Sequence, residues 1–159
     1  MSASQRTLVK IIPTSLRNLR SADLDTLAAI DQACFAPRIA YTRAELAGFI
    51  GQRNAKTWVA EAEEEIVGFV VAERPARQVA HIITIDVVKA WRRRGVGAQL
   101  MDAVESWASA LGLRLIYLET AEDNTAAQQF YRRRGYVQIE TLKDYYARGA
   151  DAWLMAKRL

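Results

Sequence analysis

Downstream of Trp58 the apolar positions fall into short β-rich runs interrupted by two stretches of helical period. Trp58–Ala62 and Ile66–Val71 flank a cluster of acidic residues and read as a hairpin. His81–Val88 is a longer β-branched run, apolar on both faces, as a central strand covered on both sides requires. Leu100, Met101, Val104, Trp107 and Leu111 then recur at helical spacing, and Gly112 ends the helix. Leu113–Thr120 returns to strand, Asn124–Arg134 to helix closed by Gly135, and Tyr136–Leu142 and Asp151–Lys157 supply two last strands. Upstream, Ser15–Arg20 reads as a first strand, and Ser21 or Asp23 as the N-cap of a helix through Leu24, Leu27, Ala28 and Ile30. Phe35-Ala36-Pro37-Arg38 interrupts that helix, and Thr42 with Glu45 forms a capping box for a second, short one. Residues 1–14 read as a poorly specified lead-in. This order predicts an α/β fold: a mixed sheet of about six to seven strands, about four helices and one central parallel crossover.

Composition narrows the class. A chain of 159 residues fits one domain, expected over residues 15–159, and 51% hydrophobic with 25% charged residues is an ordinary soluble profile. The single cysteine, Cys34, excludes an internal disulfide and reads as a small buried hydrophobe. With one histidine and one cysteine, no metal site is expected. No signal-peptide architecture or membrane-length apolar run is present, so a cytoplasmic protein without a membrane partner is expected. The net charge of +4 permits nucleic-acid binding but serves an anionic cofactor equally well.

The central strand leads into Arg92-Arg93-Arg94-Gly95-Val96-Gly97-Ala98 and then a helix. Glycines in such a turn let successive N–H groups converge at a helix N-terminus, where the dipole also favours an anion such as pyrophosphate. The plain alternative is a tight connection whose glycines only avoid a clash. A P-loop is excluded because Ala98-Gln99, not Lys-Ser/Thr, follow the second glycine. The Rossmann spacing fails because no glycine stands three positions after Gly97.

The remaining pattern, Arg-x-x-Gly-x-Gly after a central strand, resembles the signature of the GNAT acetyltransferase superfamily, and the block Ile85–Gly97 carries it. A second block is similar too: Leu118-Glu119, Asn124, then Phe130-Tyr131-Arg132-Arg133-Arg134-Gly135-Tyr136. The tail from Leu142 to Met155, with Tyr145-Tyr146 and Asp151-Ala152-Trp153-Leu154-Met155, is similar to protein N-terminal acetyltransferases of the RimI type and their archaeal counterparts.

The resemblance implies a GNAT fold and acetyl-CoA as cofactor. It implies that the backbone of Ile85, Asp86 and Val87 pairs with pantetheine as though with an added strand. Asp86 departs from the family pattern, which is commonly small and apolar there; its side chain is expected to point away. Arg92, Arg93, Arg94, Gly95, Val96, Gly97 and Ala98 would hold the pyrophosphate. Asn124 and Tyr131, seven apart on one helix face, would reach pantetheine and the sulfur. Without the resemblance, Tyr131 reads as a half-buried packing aromatic. Glu119, at the end of an apolar strand, would be the general base, acting through water. His81, the lone histidine, reads as structural from sequence alone; the archaeal likeness makes it an assistant to the base. Phe35, Tyr145 and Tyr146 would line the peptide entrance, and ordinary loop packing is their alternative.

The leading expectation is an enzyme acetylating the α-amine of a protein N-terminus by direct attack in a ternary complex, since Cys34 lies outside both blocks. The runner-up is a small-amine or antibiotic acetyltransferase. A cofactor sensor without turnover would not need Glu119, Asn124 and Tyr131 together. A nucleic-acid binder is disfavoured because 18 acidic residues counter 22 basic ones and no aromatic stripe interleaves the arginines. A monomer or weak homodimer is expected.

Overall fold

The computed structural model describes residues 12–159; residues 1–11 of the expected lead-in lie outside the described residues. Seven strands form one sheet: β1 (Ser15–Asn18), β2 (Ala55–Ala62), β3 (Glu65–Ala76), β4 (Val79–Val87), β5 (Leu115–Ala121), β6 (Val137–Ala147) and β7 (Ala150–Arg158). Their order is β1-β2-β3-β4-β5-β7-β6, with β4 and β5 parallel and every other neighbour antiparallel. Four helices cover it: α1 (Leu24–Cys34), α2 (Arg43–Ile50), α3 (Val96–Ala110) and α4 (Thr125–Arg133). The α/β reading therefore holds, with the crossover through α3 at the predicted place.

Each face of the sheet has its own core. Leu100, Met101 and Val104 of α3 pack with Val70, Ile82, Ile116 and Met155, all buried. On the other face Leu27 and Ile30 of α1 and Leu46 of α2 pack on Val59, Phe69 and Val71. Alternate residues of β2 and β3 serve opposite cores, which is why those strands read as continuous apolar runs.

Local signals place most boundaries. The predicted capping box closes α2: Glu45 N–H donates to Thr42 Oγ1 and Thr42 N–H to Glu45 Oε1, each at 3.1 Å. Gly112 follows α3 at φ 72°, and Gly135 follows α4 at φ 93°. Three expectations need correction. The first strand stops at Asn18, two residues early. Asp23, one of the two candidates, stands at the N-cap of α1 but makes no side-chain cap bond; a 3-10 turn spans Ser21–Asp23, and the Asp23 carboxylate is taken by Arg20 N–H at 2.7 Å and by the Arg17 guanidinium. The last hairpin is longer than read, because β6 continues through Tyr145 and Tyr146 to Ala147 with its polar residues facing solvent.

Two irregularities shape the centre of the sheet. Val71 pairs with Thr84 but Ala72 with Ile82, so Ile83 is an extra residue in β4, a β-bulge. The pairing of β4 with β5 runs only from Val79↔Leu115 to Ile82↔Leu118. Beyond that point β4 stays with β3 and β5 stays with β7, and the two parallel strands part. Gly68 sits where β3 supports the parted end of β4. A Cβ there would lie 2.7 Å from the Asp86 carbonyl oxygen and 3.2 Å from Val96 Cγ1. Gly68→Ala is thus expected to destabilise the protein by about 1–3 kcal/mol, as overpacking against backbone does. Urea unfolding measures it; an unchanged midpoint would show that β4 yields freely at this point.

Candidate active site

The parting of β4 and β5 opens a cleft of about 390 Å³ bounded by Phe35, Tyr41, Ile83, Glu119, Tyr131 and Tyr146. A second cavity of about 250 Å³ abuts it and runs beneath the glycine turn between Val87, Arg92, Gly97 and Phe130. Cys34, Phe35, Ile85, Asn124, Ala127 and Tyr131 border both, so one continuous channel has two compartments. The unpaired edge of β4 lies along it, which leaves main-chain groups of Ile83–Ile85 without a partner strand on the β5 side.

In the wider compartment the register assembles a polar cluster. His81 stands opposite Glu73 on β3 and opposite Tyr117 on β5, and Glu119 follows Tyr117 on the same face. His81 Nε2 lies 2.7 Å from Glu119 Oε2 and Nδ1 lies 2.9 Å from Glu73 Oε1. The ring stacks on Tyr117 at 4.4 Å and 9°. Burial alone would lower the proton affinity of His81, but hydrogen bonds and charge from Glu119 and Glu73 outweigh it and raise its pKa.

A second acidic group sits across the bulge. Asp86 is 1% exposed, and its side chain meets Thr84, which in turn reaches Asp31 of α1. Thr84 Oγ1 donates to Asp86 Oδ1 at 2.6 Å and lies 3.3 Å from Asp31 Oδ1, while Tyr41 N–H donates to Asp31 Oδ2 at 2.7 Å. Asp86 Oδ2 has no partner. Burial first, then the Asp31 charge, pushes the Asp86 carboxyl well above the usual range, and burial raises Asp31 as well. Two such groups side by side retain a proton that an exposed pair would lose.

At the other compartment, Arg93 at φ 61° and Gly95 at φ 83° bend the turn, and Gly95 is the N-cap of α3. The N–H groups of residues 93–98 find no main-chain acceptor among the described residues. That array of free donors fits a pyrophosphate. Arg92 Nε donates to Val87 O at 3.1 Å, and Arg94 lies over Trp91 at 4.9 Å, so these two side chains are partly committed to the turn itself. Val96 is core, 1% exposed, and only its main chain is available. Gly97 faces Phe130, whose ring a Cβ would meet at 3.4 Å.

The α4 residues split in role. Asn124 is the helix N-cap, its Oδ1 accepting Ala127 N–H at 3.1 Å, which leaves the Nδ2 hydrogens for the channel. Tyr131 is 7% exposed at the junction of the compartments, and burial followed by the Asp86 charge pushes its phenol far up. Phe35 borders both compartments and Tyr146 the wider one. Tyr145 does not border the channel; it is 46% exposed and packs edge-on against Tyr146 at 4.9 Å. Arg134, in the second arginine cluster, is drawn to Glu105 of α3 at 3.1 Å, and Arg132 lies over Trp153. Sequence reasoning missed Glu73, Asp31, Thr84 and Tyr41. None stands in a motif block, and only strand register and the docking of α1 bring them to the channel.

A parted parallel pair, a donor-rich glycine turn and a carboxylate in the adjoining cleft define an acyl-transferring enzyme. Residues 24–136 match the acetyltransferase (GNAT) family, and the chain belongs to that family. It is 27% identical over 156 residues to an N-alpha-acetyltransferase of Sulfurisphaera tokodaii, covering 91% of this chain and 92% of that one. It is 31% identical over 144 residues to an uncharacterised N-acetyltransferase of Methanocaldococcus jannaschii, covering 90% of each. Among solved structures, Ard1 of Thermoplasma volcanium superposes with a TM-score of 0.85 at 27% identity, covering 92% of this chain and 97% of that one.

The Asp31–Asp86 group has a measurable consequence. The fold favours a neutral Asp86, so it loses stability as pH rises above the ordinary carboxylate range, where the unfolded chain ionises first. Asp86→Asn is neutral at every pH and offers an N–H to Asp31. It is expected to be more stable than wild type at pH 7.5 by about 1–3 kcal/mol, with the gap closing near pH 4. Thermal melts of the ligand-free protein at both pH values measure this; a gap of equal size at both would remove the shared proton from the account.

Proposed function

We propose that the chain transfers acetyl from acetyl-CoA to the α-amine of protein N-termini, by direct attack within a ternary complex. The observation that carries this is the channel's two compartments meeting at Tyr131, with Glu119 and His81 on one side and the free N–H groups of residues 93–98 on the other. The N-alpha-acetyltransferase likeness supports the α-amine as acceptor.

Acetyl-CoA, when bound, supplies an activated thioester. The free donors of residues 93–98 and the guanidinium of Arg92 would hold the pyrophosphate, and the open edge of Ile85, Asp86 and Val87 would receive the pantetheine amides. Asn124 Nδ2 adds a donor from α4. Glu119 would accept one proton of the acceptor ammonium, and the second, shed as the amide forms, would leave with the departing thiolate. An α-amine, pKa about 8, costs about 3 kcal/mol less to deprotonate at neutral pH than a lysine at about 10.4, so a carboxylate working through water is an adequate base. Tyr131, held protonated by its burial, donates a hydrogen bond to the departing sulfur rather than surrendering its proton. Cys34 is no nucleophile: its thiol donates toward Val87 O at 3.5 Å, and burial with the Asp86 charge raises its pKa. Phe35 and Tyr146 flank the acceptor, with Tyr145 bracing Tyr146 from outside.

Thiol release from acetyl-CoA, measured against peptides differing in their first residue, tests the assignment. Turnover is expected with free α-amines and not with amino-blocked peptides bearing lysine. Glu119→Gln is expected to lower kcat about 100-fold or more while leaving the KM for acetyl-CoA within a few-fold. Activity confined to small amines or to lysine side chains would overturn the N-terminal assignment.

A further inference from the structure

Glu73 belongs to neither motif block, yet the structure sets its carboxylate against the ring nitrogen of His81 that Glu119 leaves free. We infer that Glu73 is a positioning residue of the acetyl-transfer site, holding His81 in the doubly hydrogen-bonded form that supports Glu119, so that the three side chains act as one base. The inference rests on the assignment of Glu119 as general base.

Geometry carries it. Both nitrogens of one imidazole face carboxylate oxygens within bonding distance, and carboxylates can only accept. A neutral ring has one N–H and satisfies one of them. The arrangement therefore keeps one additional proton, with both N–H groups donating. Stacking on Tyr117 fixes the ring plane, and the three polar side chains are each 13–17% exposed, so water does not replace these bonds freely.

The groups that face the cluster come from three sides. Glu73 enters from β3 and Glu119 and Tyr117 from β5, while the charge of Glu119 also acts on Tyr41 in the loop before α2 and on Tyr145 and Tyr146 at the end of β6. All six are acids or neutral phenols, and the charges that act on His81 are those of Glu119 and Glu73 alone. The raised pKa of His81 agrees with that setting.

Charge balance then gives Glu73 its effect. Two carboxylates and one imidazolium carry a net charge of −1. Taking one proton from the acceptor ammonium, which becomes the free amine, brings the cluster to zero. Without the Glu73 charge the cluster with the same protonated ring starts neutral, and taking that proton would leave a net charge of +1 in the half-buried site. Oε2 of Glu119 is engaged by His81, which leaves Oε1 for the acceptor side.

Glu73→Gln keeps the size of the side chain and removes its charge. His81 is the only histidine, so its nitrogen NMR signals need no assignment. In Glu73→Gln the His81 midpoint is expected to fall by about one pH unit, the acid limb of kcat/KM to move in the same direction, and kcat to fall about 10-fold. Glu73→Asp, which keeps the charge but withdraws it by one methylene, is expected to lie between the two. An unmoved His81 midpoint, or a lowered midpoint with an unmoved acid limb, overturns the inference and leaves Glu73 a structural partner. The profiles are recorded with whichever amine wild type acetylates, so failure of the peptide assignment does not obscure them. Full activity in Glu119→Gln sinks the general-base assignment and this inference together; loss in Glu119→Gln beside an insensitive Glu73→Gln sinks only the inference.

Discussion

The pairing of β4 with β5 ends at Ile82↔Leu118, and the architecture of the site follows from that break. Parallel strands have no hairpin to hold them together, only the α3 crossover and their ladder. Here the ladder is short. β4 remains tied to β3 as far as Val87↔Gly68, and β5 to β7 as far as Ala121↔Ala152, so each strand is pulled to its own half of the sheet. The wedge exposes one main-chain edge and the N-terminus of α3 together, and it admits α4 with Tyr131 into the gap. Closing the wedge by two or three more pairs would remove both compartments at once.

The bulge at Ile83 decides which side chains reach that wedge. Strict alternation along β4 would send His81 to one face and Thr84 and Asp86 to the other. The extra residue brings all three to the face covered by α1, where Asp31, Glu73 and Glu119 also lie. Four carboxyl groups on one face of a sheet are tolerated because each pair has its own neutralising device. Glu73 and Glu119 share the charge of His81. Asp31 and Asp86, with no base between them, retain a proton and a bridging hydroxyl from Thr84. Asp31 also receives Tyr41 N–H, which ties the end of the loop before α2 back to α1.

What was legible in the sequence was whatever is encoded over a few neighbouring residues. The seven strands, the four helices, the glycine turn and the Thr42–Glu45 box all rest on local period, local φ or local capping, and the structure has each of them. Asp23 does stand at the start of α1, but its carboxylate has two suitors, the helix terminus and Arg17 across a turn, and the guanidinium pair prevailed. The motif residues Glu119, Asn124 and Tyr131 do gather at one channel, whereas Tyr145 stands a ring's width outside it, behind Tyr146.

By itself, then, the sequence determined the class of fold, the order of elements and the turn whose free N–H groups suit a phosphate, since helix and strand periods and glycine conformations are properties of contiguous chain. Tertiary structure alone decided which carboxylates share the channel with His81. Glu73 lies 8 residues before it, Glu119 lies 38 after it, and Asp31 lies 53 before the Thr84 it approaches. Such partners are chosen by strand register, by one inserted residue in β4 and by the seat of α1 on the sheet. A one-residue change in any of these turns a side chain to the opposite face, and no local pattern records the choice.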